Sequence, residues 1–470
     1  MIEKIEKIVR ENPNKIAYKV NNKMITYHEL WEKAKKVAML LRKEGTSPVI
    51  LYGNKEIEVL ISMIACIIAK RAYVPIGLCT PIERIKNIME ITKSTCILAK
   101  ERIVVNNISS HTLDELNIYE NNSINETNND IIYIIFTSGS TGSPKGVPIS
   151  NDNLENFVDW ISNLYPLKEY RYCSVLNQAH FSFDLSVADI YYSLCNGHTL
   201  VAYDDNCKND FNHLYEIFQK EQIQVAIMTP TFMKLCLLND EFNEKKNPFF
   251  KCVYFCGETL EKKTVERIWK QFPNLIIINA YGPTETTSAI SAIRIKKEML
   301  TNDLLPVGDI HHLATEVEII DNEIVLKGKS VSRGYLGDVV GGFFQENKKN
   351  CYHTGDIGYI EDNLLYCKGR KDNQIKYKGY RIELEDIEKN MNKIPEIKTT
   401  CVIAKYDDKN NVKTIKAFVE VENSKIDSSI IKDKLKDYLP EYMIPKTITI
   451  LDQLPMNQNN KIDRKALMKL

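Results

Sequence analysis

Residues 134–150, IIFTSGSTGSPKGVPIS, decide how the rest of the chain is read. Four apolar residues, 133–136, lead into a stretch crowded with Thr, Ser and Gly, and Lys145, Gly146 and Val147 follow. Glycine permits positive φ and close approach of the backbone to a ligand. Hydroxyls and N–H groups donate to phosphate oxygens, and lysine adds positive charge. The chemistry is that of a phosphate-cradling loop after a buried strand. It is not the common P-loop: counting from Gly139, the Gly-Lys pair of that pattern falls on Pro144 and Lys145. A Ser/Gly linker is the alternative reading, although a linker needs no ordered lysine and no β-branched strand before it.

Outward from this run, strand and helix patterns alternate. Towards the N-terminus a helical period covers 2–9, short strands 16–20 and 24–26 flank Asn21-Asn22, and an amphipathic helix at 27–44 stops at Gly45. Strands follow at 49–52 and 73–76, around a mostly apolar helix at 57–69. Residues 106–130 are rich in Asn, Ser, Glu and Thr and read as a surface excursion. Beyond the loop, strands at 172–176, 225–228, 253–255 and 275–279 alternate with helices at 153–164, 231–238 and 262–271. Such alternation implies α/β layering around a buried parallel sheet. After about residue 300, short β patterns punctuated by Gly308, Gly328, Gly334, Gly337 and Gly355 take over. The polar GRKD at 369–372 marks a domain boundary. The remainder reads as a small α+β domain, with a strand at 374–382 and helices at 385–391 and 429–438.

Several side chains invite chemistry, each with a plainer alternative. Asp184, in QAHFSFDLSVADIYY (178–192), is costly to bury without a cationic partner. It reads equally as an ammonium ligand or as a helix N-cap. In AYGPTETT (280–287), Tyr281 offers a face to a planar base and Glu285 a hard oxygen of the kind Mg²⁺ accepts beside phosphates. An ordinary Gly-Pro turn with a capping Thr is the alternative. Asp356, in YHTGDIGYI, is placed to accept both hydroxyls of a ribose or to cap a turn. Lys461, in NQNNKIDRK, lies in a turn-rich segment where lysine is commonly just solvated.

Composition narrows the class. Lys+Arg and Asp+Glu both number 62, so the 470-residue chain has neither a basic nucleic-acid footprint nor an acidic tail. The twelve cysteines contain no C-x-x-C pair and suit a reducing compartment. The N-terminus has no signal-peptide core, and the longest apolar run, 59–69, is too short to span a bilayer. The expectation is a cytoplasmic protein with no nucleic-acid partner and no membrane insertion.

Taken together, TSGSTGSPKG, AYGPTETT, YHTGDIGYI, GRKDNQIKYKGYRIELEDIE and NNKIDRK resemble, in order and spacing, the AMP-forming adenylating superfamily. That superfamily includes acyl-CoA synthetases and peptide-synthetase adenylation domains, and the resemblance covers essentially the whole chain. It implies an α/β fold: a large N-terminal domain of layered sheets with flanking helices and a β-rich subdomain (1–370), then a small mobile α+β domain (371–470). It implies ATP and Mg²⁺. Thr137, Ser138, Gly139, Thr141, Gly142 and Lys145 would hold the β- and γ-phosphates, and Glu285 the metal. Asn279, Ala280, Tyr281, Gly282, Pro283 and Thr284 would line the nucleotide, with Tyr281 on adenine. Asp356 would hold the ribose hydroxyls, with Cys367, Lys368, Gly369 and Arg370 alongside. Lys461 would bridge the substrate carboxylate and the α-phosphate, and Asp372 would be the hinge.

FSFDLSVADIY points to the amino-acid-activating members, where Asp184 would bind the substrate ammonium. Similarity to stand-alone ligases that load D-alanine onto a phosphopantetheine-bearing carrier protein is carried by LNQAHFSFDLSVADIY and VYFCGE. Cys256 and Ser288 would line that pocket, Cys256 favouring the D enantiomer. The chain departs from the pattern at His180, and at Ala188 and Ser288, where bulkier apolar residues are usual. The alternatives are a free-standing adenylation enzyme for another small or medium amino acid, an acyl-CoA synthetase, and a catalytically silent nucleotide-binding protein.

Overall fold

The computed structural model describes all residues except 106–107, 113–128, 140–141, 205–209, 338, 378, 408–411, 423–425 and 457–461. The chain divides into two compact units: a larger one of Met1–Leu78, Thr92–Ile135 and Val147–Lys371, and a smaller one of Cys79–Ile91, Phe136–Gly146 and Asp372–Leu470.

The larger unit is built on three sheets. The first has eight strands in the order Ser291–Arg294, Ile276–Tyr281, Cys252–Phe255, Val225–Met228, Ser174–Asn177, Thr199–Ala202, Ile16–Val20, Lys23–Thr26. The inner pairs are parallel and the two edge pairs antiparallel. Its central strands, VAIM and CVYF, are buried at every residue, as a sheet covered on both faces requires. The second sheet orders its strands Lys145–Ser150, Ile131–Thr137, Tyr73–Ile76, Val49–Tyr52, Cys96–Ala99, His111–Thr112.

The helix Ile57–Ile68 is apolar nearly all round and buried from Val59 to Ile67, as a helix with no solvent face must be. Helix Leu185–Asn196 is likewise buried from Leu185 to Leu194. The hydroxyls of Tyr73 and Tyr191 meet at 2.8 Å within this core. The third sheet is antiparallel, ordered Gly308–Asp309, Leu364–Arg370, Lys349–Glu361, Glu323–Lys327, Glu316–Ile320, with Phe343–Glu346 on the flank of Lys349–Glu361.

The smaller unit carries helix Leu384–Met391, helix Ser428–Leu435 and a sheet of Ile397–Tyr406, Val412–Val421 and Thr447–Ile450. Ile375, Ile382, Ile387, Val402, Ala417 and Ile431 pack into its own core. One expectation needs correction here. The segment read as a single strand over 374–382 is a hairpin of Gln374–Tyr377 and Tyr380–Glu383. Gly379, at φ +83°, supplies the left-handed residue that the reversal needs. The helix Ile82–Thr92 and the strand Cys96–Ala99 are further elements that the sequence reading left unassigned.

Candidate functional site

The parallel strands of the eight-stranded sheet fix where chemistry can occur. In open α/β sheets, ligands lie beyond the carboxyl ends of the strands. Three segments leave that edge: Gln178 to Asp184 after strand Ser174–Asn177, Cys256 after Cys252–Phe255, and the AYGPTETT run from the end of Ile276–Tyr281. The pairings Asn177↔Ile227, Met228↔Phe255 and Phe255↔Asn279 keep these strand ends level.

Asp184 precedes helix Leu185–Asn196 at its N-cap position, yet its carboxylate makes no capping hydrogen bond there. Its Oδ2 instead accepts from Thr284 Oγ1 at 2.6 Å. The half-buried carboxylate is thus held across a gap of 100 residues by the turn that follows strand Ile276–Tyr281. Cys256 is buried and its thiol lies 3.8 Å from the carbonyl oxygen of Ser288.

The AYGPTETT turn is tightly specified. A Cβ on Gly282 would stand 2.5 Å from Ala289 Cα, so the backbones approach as only glycine allows. Thr287 and Ser288 both take left-handed φ, +64° and +70°, and both are buried. For a β-branched residue such backbone is costly and persists only where its surroundings hold it. Thr287 Oγ1 donates to Ser330 O at 3.0 Å, and Thr286 Oγ1 to Pro283 O at 3.0 Å.

A second cluster forms where the third sheet meets this turn. The Tyr281 hydroxyl donates to Asp356 Oδ2 at 2.6 Å, and Arg370 Nη1 donates to Asp356 Oδ1 at 3.0 Å. Strand register sets Asp356 directly opposite Arg370, whose Nη1 also donates to Thr354 O at 3.0 Å. Burial, then the Asp356 carboxylate, push the Tyr281 hydroxyl well above the ordinary phenol range, which keeps it a proton donor. An ionised carboxylate has about four acceptor positions, so Asp356 retains capacity for a ligand beyond these two donors.

Asn279 turns its amide to Pro306 O at 2.8 Å. Lys368 is exposed and lies over the Tyr359 ring, 4.4 Å from its centroid. Cys367 is half-buried, and Gly369 has φ +140°.

Glu285 is fully buried and takes a hydrogen bond from the Tyr335 hydroxyl. Among the described residues no group of three or more His, Cys, Asp or Glu could hold a metal ion. Mg²⁺ at phosphate sites takes one or two carboxylates and completes its shell with waters and phosphate oxygens. A single buried carboxylate next to a glycine turn fits that mode of binding.

In the smaller unit, the loop that opened the sequence reading passes between strands Ile131–Thr137 and Lys145–Ser150. Thr137 and Ser138 are buried. Ser138 Oγ donates to Arg381 O at 3.0 Å and accepts from Glu383 N–H at 2.9 Å. Lys145 Nζ lies 4.0 Å from Glu383 Oε1. Burial raises the Glu383 carboxyl, against the pull of Lys145 and Arg381.

A Cβ on Gly139 would stand 2.1 Å from Ser143 O, and Gly142 has φ +80°. Asp372 Oδ1 accepts from Gln374 N–H at 3.2 Å. Thr141 and Lys461 fall outside the described residues.

Sequence reasoning missed two partners. Thr284 was read only as a nucleotide neighbour, whereas it holds Asp184. Tyr335, which holds Glu285, went unmarked because nothing in its own stretch points to a residue 50 positions away.

The AMP-binding enzyme family matches residues 5–336, and the AMP-binding enzyme C-terminal domain matches residues 386–461. A D-alanine–D-alanyl carrier protein ligase of Lactococcus lactis subsp. lactis is 35% identical over 492 residues, spanning 99% of this chain and 98% of the relative. A protein of the same name from Listeria innocua is 36% identical over 504 residues, with the same coverage.

Among solved structures, the Vibrio cholerae adenylation domain AlmE in complex with glycyl-adenosine-5'-phosphate superposes with a TM-score of 0.84 at 23% identity, covering 99% of this chain and 96% of that one. Holo-PA1221, a nonribosomal peptide synthetase protein with adenylation and peptidyl carrier domains, gives 0.84 at 20% identity, covering 100% and 84%. At these identities the structures speak for the fold. By the family matches and the near-full-length relatives, the chain belongs to the AMP-binding enzyme family.

Proposed function

We propose that this chain activates D-alanine with ATP, releasing pyrophosphate, and then passes the D-alanyl group to the phosphopantetheine thiol of a carrier protein. The observation that carries this reading is the Asp184 carboxylate, held by Thr284 at the carboxyl edge of the parallel sheet. A carboxylate held in a fixed orientation forms a charge-assisted hydrogen bond with an ammonium group of the kind an amino acid carries. The names of the near-full-length relatives support D-alanine as the acid and a carrier protein as the acceptor.

Within this reading Asp356, steadied by Tyr281 and Arg370, receives the ribose hydroxyls. Ser138, Gly139, Gly142 and Lys145, with Thr141, hold the β- and γ-phosphates. Phosphoryl chemistry of this kind rests on positioning and charge stabilisation. Glu285 would hold Mg²⁺, which would supply charge neutralisation for the phosphates. Lys461 would be the catalytic residue, its ammonium stabilising the charge that gathers on the substrate carboxylate and the α-phosphate as the carboxylate oxygen attacks. The domain beginning at Asp372 turns between the two half-reactions, as in other enzymes that complete their sites by hinge motion.

Cys256, whose thiol lies 3.8 Å from the Ser288 carbonyl oxygen, would line the substrate pocket with Ser288 and bias it towards the D enantiomer. Exclusion of a misplaced methyl is worth about 1–3 kcal/mol. ATP–pyrophosphate exchange with a panel of D- and L-amino acids tests the proposal. D-Alanine should drive exchange with kcat/KM about 10- to 200-fold above L-alanine, and a holo-carrier protein should gain the mass of one alanyl group. Faster exchange with a different amino acid assigns the chain to free-standing adenylation of that acid. Exchange with an uncharged acid, followed by transfer to coenzyme A, overturns the amino-acid reading.

A further inference from the structure

Glu285 sits on the single turn Thr284–Thr286 and is wholly enclosed. Its carbonyl oxygen accepts from Ser332 N–H at 2.9 Å, which ties the turn to the segment that carries Tyr335. The Tyr335 hydroxyl donates to Glu285 Oε1. Behind it stands Tyr352, from strand Lys349–Glu361, with the two hydroxyl oxygens 3.2 Å apart. A phenol has one proton. With Glu285 ionised, the Tyr335 proton points at the carboxylate, so the bond between the two phenols is donated by Tyr352.

The Tyr335 ring is fixed independently of its hydroxyl. Phe343 meets it edge-on, with centroids 5.1 Å apart and planes at 80°. Gly341 lies so close that a Cβ there would stand 2.4 Å from the ring. A side chain packed this firmly and aimed at a buried acid is built to orient that acid.

We propose that Tyr335 is a positioning residue for Glu285, holding Oε1 and so fixing the orientation in which the carboxylate meets the divalent cation. The inference rests on the reading of Glu285 as the Mg²⁺ ligand. Hydrogen-bond partners of metal ligands fix their orientation, and losing one typically lowers metal affinity by about 10- to 100-fold. Where the protein contributes so few ligands, the orientation of each has unusual weight.

Equilibrium binding of ATP to the full chain, followed by calorimetry across a Mg²⁺ series and in EDTA, tests this. Tyr335→Phe keeps the ring against Phe343 and Gly341. It should raise the half-saturating Mg²⁺ concentration about 10- to 100-fold. ATP affinity in EDTA should stay at the wild-type value. Tyr352→Phe, which removes the donor to Tyr335, should shift Mg²⁺ dependence in the same direction by less.

Wild-type Mg²⁺ dependence in Tyr335→Phe, beside a large shift in Glu285→Gln, overturns the inference while leaving Glu285 as the ligand. Equal loss of binding in EDTA and in Mg²⁺ also overturns it, because that is a packing effect. If Glu285→Gln itself leaves Mg²⁺ dependence unchanged, the reading of Glu285 fails and the inference fails with it.

Discussion

Asp184 shows how one atom pair separates two readings that its own stretch of sequence leaves open. An aspartate just before an apolar helical period is a natural N-cap, and the residue does occupy that position. Its carboxylate nevertheless turns to Thr284 Oγ1. The Thr284 hydroxyl satisfies one acceptor position of that carboxylate. Hydrogen bonds to charged groups are worth about 1.5–3 kcal/mol. Asp184→Asn should therefore raise the KM for the amino acid by roughly 10- to 150-fold, with ATP binding unchanged. Titrating the amino acid in the exchange assay, alongside ATP calorimetry, measures both. Loss of both affinities together would point to a collapsed turn.

At the scale of elements, the antiparallel sheet supplies more than Asp356. Glu323 opens strand Glu323–Lys327 and collects three donors: Gly355 N–H at 2.7 Å, Lys371 Nζ at 2.6 Å and the His353 ring at 3.1 Å. It therefore clamps the turn immediately before Asp356. Burial on its own would raise the Glu323 carboxyl, but Lys371, the Gly355 N–H and His353 outweigh it and hold the group below the ordinary carboxylate value. A lowered folded-state pKa contributes stability that is fully present above the unfolded value, about 4.3. That stability is lost as pH falls through the folded one. Glu323→Gln should lower the melting temperature at pH 7 and flatten its decline on the acid side, as thermal melts over a pH series will read.

These clusters also mark what the sequence can and cannot disclose. Asp356, Tyr281 and Glu285 stand in stretches whose glycines and aromatics announce a site. The Asp356–Arg370 pair depends on strand register, and the Thr284–Asp184 and Tyr335–Glu285 bonds on long-range packing. Local periodicity carries no information about such partners. It does carry the parallel sheet, because strands such as VAIM and CVYF are apolar throughout. The hairpin at 374–383 escaped because its alternation continues across the turn, and a single glycine marks the reversal.

For the whole molecule, the division into compact units falls between Lys371 and Asp372, inside the polar GRKD run, and the smaller unit also takes in Cys79–Ile91 and the Phe136–Gly146 loop. Each unit has its own apolar core. Asp372 makes a local turn with Gln374 N–H, a bond that a change in φ and ψ at this residue can release. Asp372→Pro fixes φ near −65°. If the second half-reaction needs a different backbone conformation here, pyrophosphate exchange should persist in this variant while carrier loading falls at least about tenfold. The two assays run in parallel give the answer, and equal loss in both would remove the hinge from Asp372.

Gly282 has a consequence for how such a sequence can change over generations. Every other encoded amino acid brings a Cβ, and ideal geometry puts that atom 2.5 Å from Ala289 Cα and 2.9 Å from Ile290 N. Both obstacles are main chain, so no neighbouring side chain can move aside to make room. The position has an alphabet of one letter, and every missense codon there is closed to drift. Variation in this lineage must be written on the residues around the turn, while the turn itself is inherited as a fixed piece of backbone.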